Sequence, residues 1–320
     1  MLDSLPEWPL FGFADDARPA LREASEAGEP LALATIVGLD GGGPRPLGAQ
    51  MTITRRAVSG FLSGGCLESD VVAHAAVVLE DGSPRRLIYG DGSPWPDIRL
   101  LCGARIEIQL ERLAPDDGAT AALLDLTRDR VPAVWLSDGV LRNCAAATAA
   151  PEAWQGAFGK RFDPVPRLVV LGSDPTALAI AALGAQAGYE TTLVRPKGPA
   201  EAPPLAGVAY RRDEPAEALG ALGLDPWTAV AVATHDAELD HAALMVALPS
   251  DAFYVGALGA RRRVPDRQAW LREAGMDVGS LARLHAPIGL DIGGKAPWEI
   301  AISVLSQIIA ERTRGAVGWP

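Results

Sequence analysis

Apolar and polar positions along the chain change rhythm about halfway. In the first half, short runs of strand length dominate. Pro30 to Leu39 is a continuous apolar run, Gln50 to Arg55 alternates, and Ala57 to Leu62 makes a partner strand. Leu67 to Glu80 carries a helical pattern. Glu68 and Asp70 suit the positive end of its dipole, and Gly82 follows as a stop. Strands are expected over Arg85–Tyr89 and Arg105–Leu113, then a helix from Pro115 to about Arg128. A hairpin is expected to join Ala133–Ser137 to Val140–Arg142 across a two-residue Asp138-Gly139 turn.

Ala145 to Pro166 is rich in Ala, Pro and Gly without a period, so a domain boundary is expected there, with domains at 1–150 and 151–320. Beyond it, strand-like segments at Arg167–Leu171, Tyr189–Val194, Val208–Arg211, Ala229–Ala233 and Ala252–Val255 alternate with alanine-rich helical patterns. A last helix starts near Pro297 and Glu299 and ends at Arg312, Arg314 and Gly315. The predicted class is α/β. A strand-rich mixed N-terminal domain precedes a Rossmann-like doubly wound parallel sheet domain.

Composition narrows the possible partners. The chain has 320 residues, of which 48% are hydrophobic and 22% charged, enough for two packed cores. A net charge of −11 repels phosphate backbones and anionic lipid, which argues against nucleic acid and membrane. The tight basic run Arg261-Arg262-Arg263 suits one small anion, not a duplex. The first residues, Met1 to Phe13, include Asp3 and Glu7 and lack the pattern of a signal peptide. Three cysteines, Cys66, Cys102 and Cys144, form no CxxC pair, as expected of reduced thiols in the cytoplasm.

Leu168 to Ala177, LVVLGSDPTA, has the strand–turn–helix context of a dinucleotide loop. Its chemistry is altered. Gly172 holds the first glycine position, but Asp174 stands where backbone should approach a pyrophosphate, and Pro175 removes an N–H donor. Arg195 ends the second strand where an acidic residue would hold a ribose. The loop is therefore expected to be structural, with Asp174 capping the helix.

Two glycine-rich segments in the first half, Gly41–Ala49 and Ser63–Glu68, are candidate chemistry. The second ends a strand and opens a helix, so its amides make a ready anion site in which a Cys66 thiolate is a ligand or nucleophile. A tight turn with a small buried cysteine is the alternative. Three polar groups follow predicted strands in the second half: Thr234-His235-Asp236, Gly259–Arg263 and His285–Gly293. At least the first two are expected to line one crevice suited to an anionic heterocycle. The alternatives are that His235 caps a helix, that Asp291 pairs with an arginine, and that the arginines form a solvated face.

Taken in order, GGGPRPLGAQM, SGGCLESDVV, LCGARIEIQLE, ATHDAELD, YVGALGARRR and LHAPIGLDIGGKAPWEIAISVLSQIIAER resemble the XdhC/CoxI family of xanthine dehydrogenase accessory proteins. The likeness covers roughly Leu39–Arg112 and Ala229–Arg314. It implies a chaperone, not an enzyme with its own turnover. Such a chaperone binds molybdenum cofactor in its molybdopterin form and supports its sulfuration by a cysteine desulfurase. It then delivers the cofactor to a molybdenum hydroxylase client, acting as a homodimer. The residues expected to contact the cofactor are Arg45, Gly64, Gly65, Cys66, Glu68, Cys102, His235, Arg261, His285 and Asp291, with Cys66 as a molybdenum ligand. Departures from the family pattern fall at Gly172–Ala177 and Arg195. Rival readings are an NAD(P)-dependent oxidoreductase using the second domain, a metal or redox protein built on Cys66, Cys102, His235 and His285, and a scaffold that binds no cofactor.

Overall fold

The computed structural model describes residues 5–43, 45–91, 93, 103, 105–150 and 152–315. The chain divides into two units, one ending at Pro164 and the other starting at Val165. In the first unit, α1 (Arg18–Glu26) precedes β1 (Leu31–Asp40), β2 (Gln50–Ile53) and β3 (Val58–Gly60). Next come α2 (Glu68–Asp81), β4 (Arg85–Tyr89), β5 (Arg105–Leu113) and α3 (Gly118–Arg128). The unit closes with β6 (Ala133–Ser137), β7 (Arg142–Ala146) and β8 (Phe158–Phe162). One antiparallel sheet runs β3-β2-β1-β5-β4 and a smaller one runs β7-β6-β8.

β1 is apolar over Leu31–Ala34, and buried through Ile36, because both its faces are covered there. Ala32, Ala34 and Ile36 pack in the cluster that includes Val71, Ala75 and Val78 of α2. Leu31 and Leu33 join the opposite cluster with Leu21 of α1 and Leu123 of α3. On β5, Ile106, Ile108 and Leu110 serve the α2 side, while Glu111 is buried elsewhere at 1% exposure. Its carboxylate accepts from Ser137 Oγ at 2.8 Å and from Arg142 Nε at 3.0 Å. Burial nevertheless raises its pKa, with Arg142 pulling the other way.

The expected hairpin and linker both need correction. Ser137 lies opposite Arg142, so residues 138–141 form a four-residue loop instead of a two-residue turn. The Asp138 carboxylate accepts from the Val140 and Leu141 amides, both at 2.8 Å, and so satisfies the wider loop locally. β7 runs into the stretch expected to be a linker, and β8, later in that stretch, pairs with β6. Cys144 is a buried residue of β7, and burial pushes its thiol up to about 11. Lys160 of β8 donates to Gly48 O at 2.7 Å and to Gln50 Oε1 at 3.0 Å. Desolvation lowers its pKa to about 8.

The second unit contains β9 (Arg167–Gly172), α4 (Pro175–Gln186), β10 (Glu190–Val194), β11 (Val208–Arg211) and α5 (Pro215–Leu222). β12 (Thr228–Ala233), α6 (Ala237–Ala247), β13 (Tyr254–Ala257), α7 (Val264–Glu273), α8 (Val278–Ala282), β14 (Leu284–His285) and α9 (Pro297–Gly315) complete it. The sheet is parallel in the order β11-β10-β9-β12-β13-β14. Leu168 and Val170 face the cluster holding α4 and α9 residues; Val169 and Leu171 face the one holding α5, α6, α7 and α8 residues. This is the doubly wound arrangement expected, plus a sixth strand too short to leave a pattern. Strand order reverses between β9 and β12, which is where ligands of such sheets bind. Among the described residues no helix is long and apolar enough to cross a membrane.

Candidate functional site

The chain leaving β3 reaches α2 through Phe61 to Leu67, a loop pinned by the buried side chains of Leu62 and Leu67. Its shape depends on Glu68, which is 1% exposed at the start of α2. That carboxylate accepts five hydrogen bonds, from the amides of Leu62, Ser63, Gly65 and Leu67 and from the Ser63 hydroxyl, at 2.7–3.2 Å. Burial alone would raise its pKa, but the Ser63 and Leu62 amides and the Ser63 hydroxyl outweigh burial and hold it below the usual range. The sequence pattern leaves these amides for an external anion. The structure corrects this: the chain's own carboxylate takes them. Cys66 stands on the same loop with its side chain exposed and its thiol free.

Beside the loop opens a cleft of about 320 Å³, walled by Phe11, Phe13 and Phe61 and floored by Gly64, Gly65 and Glu68. The Arg45 guanidinium lies 4.6 Å from the Phe61 ring centroid and pairs with Asp15. Its Nε is buried without a hydrogen-bond partner, and desolvation lowers its pKa. Gly64, Gly65 and Glu68 therefore line the cleft, Arg45 reaches its edge over Phe61, and Cys66 stands on the same loop without lining it. Phe11 and Phe13 escape sequence reasoning, because nothing in their pattern ties a short amino-terminal turn to a loop some fifty residues later. Cys102 lies outside the described residues.

In the second unit the helix start at the β9–β12 crevice carries a carboxylate of its own. Asp174 caps α4, accepting from the Ala177 amide at 2.9 Å, as expected. His235 does not cap the next helix; Asp236 does, accepting from Glu238 and Leu239 amides. His235, at φ 61°, instead places Nε2 2.9 Å from Asp174 Oδ2. A carboxylate thus occupies the helix start where a phosphate would sit, with an imidazole against it. Gly172 survives for packing. A Cβ there would lie 2.5 Å from Ala233 O and 2.6 Å from Ala177 Cβ. Gly172→Ala is expected to cost about 1–3 kcal/mol by overpacking, read by urea unfolding. No measurable loss would mean that β9 and β12 part easily.

Asp240 ties the neighbouring loops together. It is 4% exposed, accepts from the Thr234 hydroxyl at 2.6 Å, and pairs with Arg267 at 2.7 Å. Arg267 also donates to Leu258 O at 3.1 Å. One carboxylate therefore holds the loop bearing His235 and, through Arg267, the segment leading to Arg261.

Arg261 and Asp291 meet elsewhere, as the simpler reading of Asp291 anticipated, 2.7 Å apart at a cleft of about 290 Å³. Leu258, Ile288, Ile300 and the segment from Gly289 to Lys295 line that cleft, whereas His235 does not. The single crevice expected for the first two polar groups is thus two places. His285 stacks on Tyr254 with ring centroids 4.6 Å apart, and burial lowers its pKa. Among the described residues no cluster of three or more His, Cys, Asp or Glu side chains gathers to hold a metal ion.

Comparison with known proteins agrees with both halves of this description. Residues 24–90 match the model of the XdhC and CoxI family, and residues 168–308 match the XdhC Rossmann domain. The molybdenum cofactor insertion chaperone PaoD of Escherichia coli is 31% identical over 93% of this chain and 89% of its own length. A Bacillus subtilis protein described as a probable xanthine dehydrogenase subunit is 26% identical over 90% of this chain and 95% of its own. A crystal structure described as a xanthine dehydrogenase from Bacillus halodurans superposes with a TM-score of 0.76 at 23% identity. It covers 96% of this chain and 98% of that one, and so shares the fold. With sequence motifs, both unit folds and a full-length relative in agreement, the chain belongs to the XdhC and CoxI family.

Proposed function

We propose that the chain is an accessory protein that holds molybdenum cofactor, in its molybdopterin form, as cargo. It keeps the cofactor while a cysteine desulfurase supplies the terminal sulfur, and passes it to a molybdenum hydroxylase. It works in the cytoplasm as a homodimer. The observation that carries the reading is the exposed Cys66 thiol on a carboxylate-pinned loop beside an aromatic cleft. Molybdenum favours sulfur ligands, and a flat pterin suits the faces of Phe11, Phe13 and Phe61. Arg45, over Phe61 with a buried Nε lacking a partner, supplies a cation for an anionic cargo. The relatives named for cofactor insertion and for xanthine dehydrogenase support the same role. The carboxylate at the β9–β12 crevice speaks against a nicotinamide-dependent enzyme, because the pyrophosphate seat already holds Asp174.

The test is retention of cofactor through gel filtration, reading metal by mass spectrometry and pterin by fluorescence after oxidation. Wild type is expected to elute with both, and Cys66→Ala to lose about tenfold or more of the metal. Equal metal in both proteins would remove Cys66 from the site. No cofactor on wild type would overturn the cargo reading.

A further inference from the structure

We infer that the second unit binds a phosphate monoester or diphosphate, not at the β9–β12 crevice but in the cleft between Arg261 and the Gly289–Lys295 segment. The usual seat is closed, since Asp174 supplies the negative charge there and His235 answers it. The cleft near the far edge of the sheet has complementary chemistry. Arg261 and Lys295 both line it. Arg262 and Arg263 follow in the same exposed turn. The Lys295 ammonium has no ion-pair partner among the described residues.

Arg261 is engaged by Asp291, and the two side chains are 77% and 74% exposed. Such a solvated pair opens readily to a stronger anion. The wall is fixed by contrast. The Gly289 amide donates to Gln307 Oε1 at 2.7 Å, and Ser303 Oγ donates to Leu290 O. Gly289, at φ 91°, lies so close to α9 that a Cβ would come 2.4 Å from Ser303 Oγ. Glu299 already takes the Lys295 and Ala296 amides, so the anion is held by side chains and not by the start of α9. Leu258, Ile288 and Ile300 add an apolar wall for whatever carries the phosphate.

The phosphate has two possible sources, a nucleotide or a phosphorylated pterin, and titration calorimetry on the full chain separates them. The probes are adenosine and its 5′-monophosphate, hydroxymethylpterin and its diphosphate, and inorganic phosphate. At least one phosphorylated probe is expected to bind about tenfold or more tightly than its unphosphorylated parent. The pair showing the larger preference names the source. Arg261→Ala with Lys295→Ala is expected to abolish the preference. Asp291→Asn is expected to increase it severalfold by freeing Arg261. Because these side chains are exposed, thermal unfolding of the variants is expected to match wild type. No preference in wild type, or one that survives the double substitution in a folded protein, refutes the site. Both results are independent of cofactor retention.

Discussion

Glu68→Ala is expected to destabilise the first unit by about 3–5 kcal/mol, because buried amides left without an acceptor cost about 1–3 kcal/mol each and some regain water. Three amides and a hydroxyl lose their partner at once, while the Leu67 amide keeps Ser63 Oγ at 2.9 Å. The start of α2 also loses a negative charge that its dipole favours. Glu68→Gln keeps the shape but turns a donor toward donors, and is expected to recover less than half of the loss.

The same site gives a pH dependence of fixed sign. The folded pKa lies below the ordinary value, so this stabilisation is fully present above the unfolded carboxyl pKa of about 4.3. It is lost as pH falls through that value toward the folded pKa. Urea unfolding between pH 3 and pH 7 is expected to show wild type losing more stability on acidification than Glu68→Gln. Parallel curves would mean that the carboxylate is not the charge holding the loop. Loss of the loop in turn removes the support of Cys66, so cofactor retention is expected to fall with stability.

Asp240→Ala is the second large effect, again about 3–5 kcal/mol, since removing one partner of a buried ion pair strands the other. Arg267 is left with Leu258 O, and the Thr234 hydroxyl with the Asp236 carbonyl at 3.0 Å. Replacing both ends, with Asp240→Leu and Arg267→Met, is expected to restore much of the stability, because no buried charge remains. The loops are a separate matter. The double variant no longer fastens the His235 loop, so it is expected to be cleaved there faster by limited proteolysis despite its recovered melting point. Protection equal to wild type would show that the loops are held by packing alone.

The parallel sheet was legible because strands covered on both faces read as apolar runs, as Leu168–Leu171 and Ala229–Ala233 do. β8 was not, because Gly159, Lys160 and Arg161 interrupt any apolar run and its partner is more than twenty residues away. At Asp138 the Asp-Gly pair suits a tight turn, but the side chain of Asp138 satisfies a wider one. Around Cys66, the helix start was readable but its occupant was not. An acid in the first turn normally faces solvent, and only the fold bends the preceding loop over Glu68. Asp240 did leave a trace. It falls in register with Ala243, Leu244 and Ala247 on the buried stripe of α6, and a charge on such a stripe implies a buried partner.

The late position of β8 bears on how the chain is made. Domains emerging from the ribosome tend to fold as units, amino-terminal first. Here β6 gains its second partner, and the Gly48 carbonyl its lysine, only when residues 158–162 have left the exit tunnel. By then the run into β9 is already being synthesised. The first unit therefore completes its small sheet at the moment the second begins. A chain that ends just after Pro164 carries a finished first unit, whereas one that ends at Ala150 leaves β6 bare along one edge.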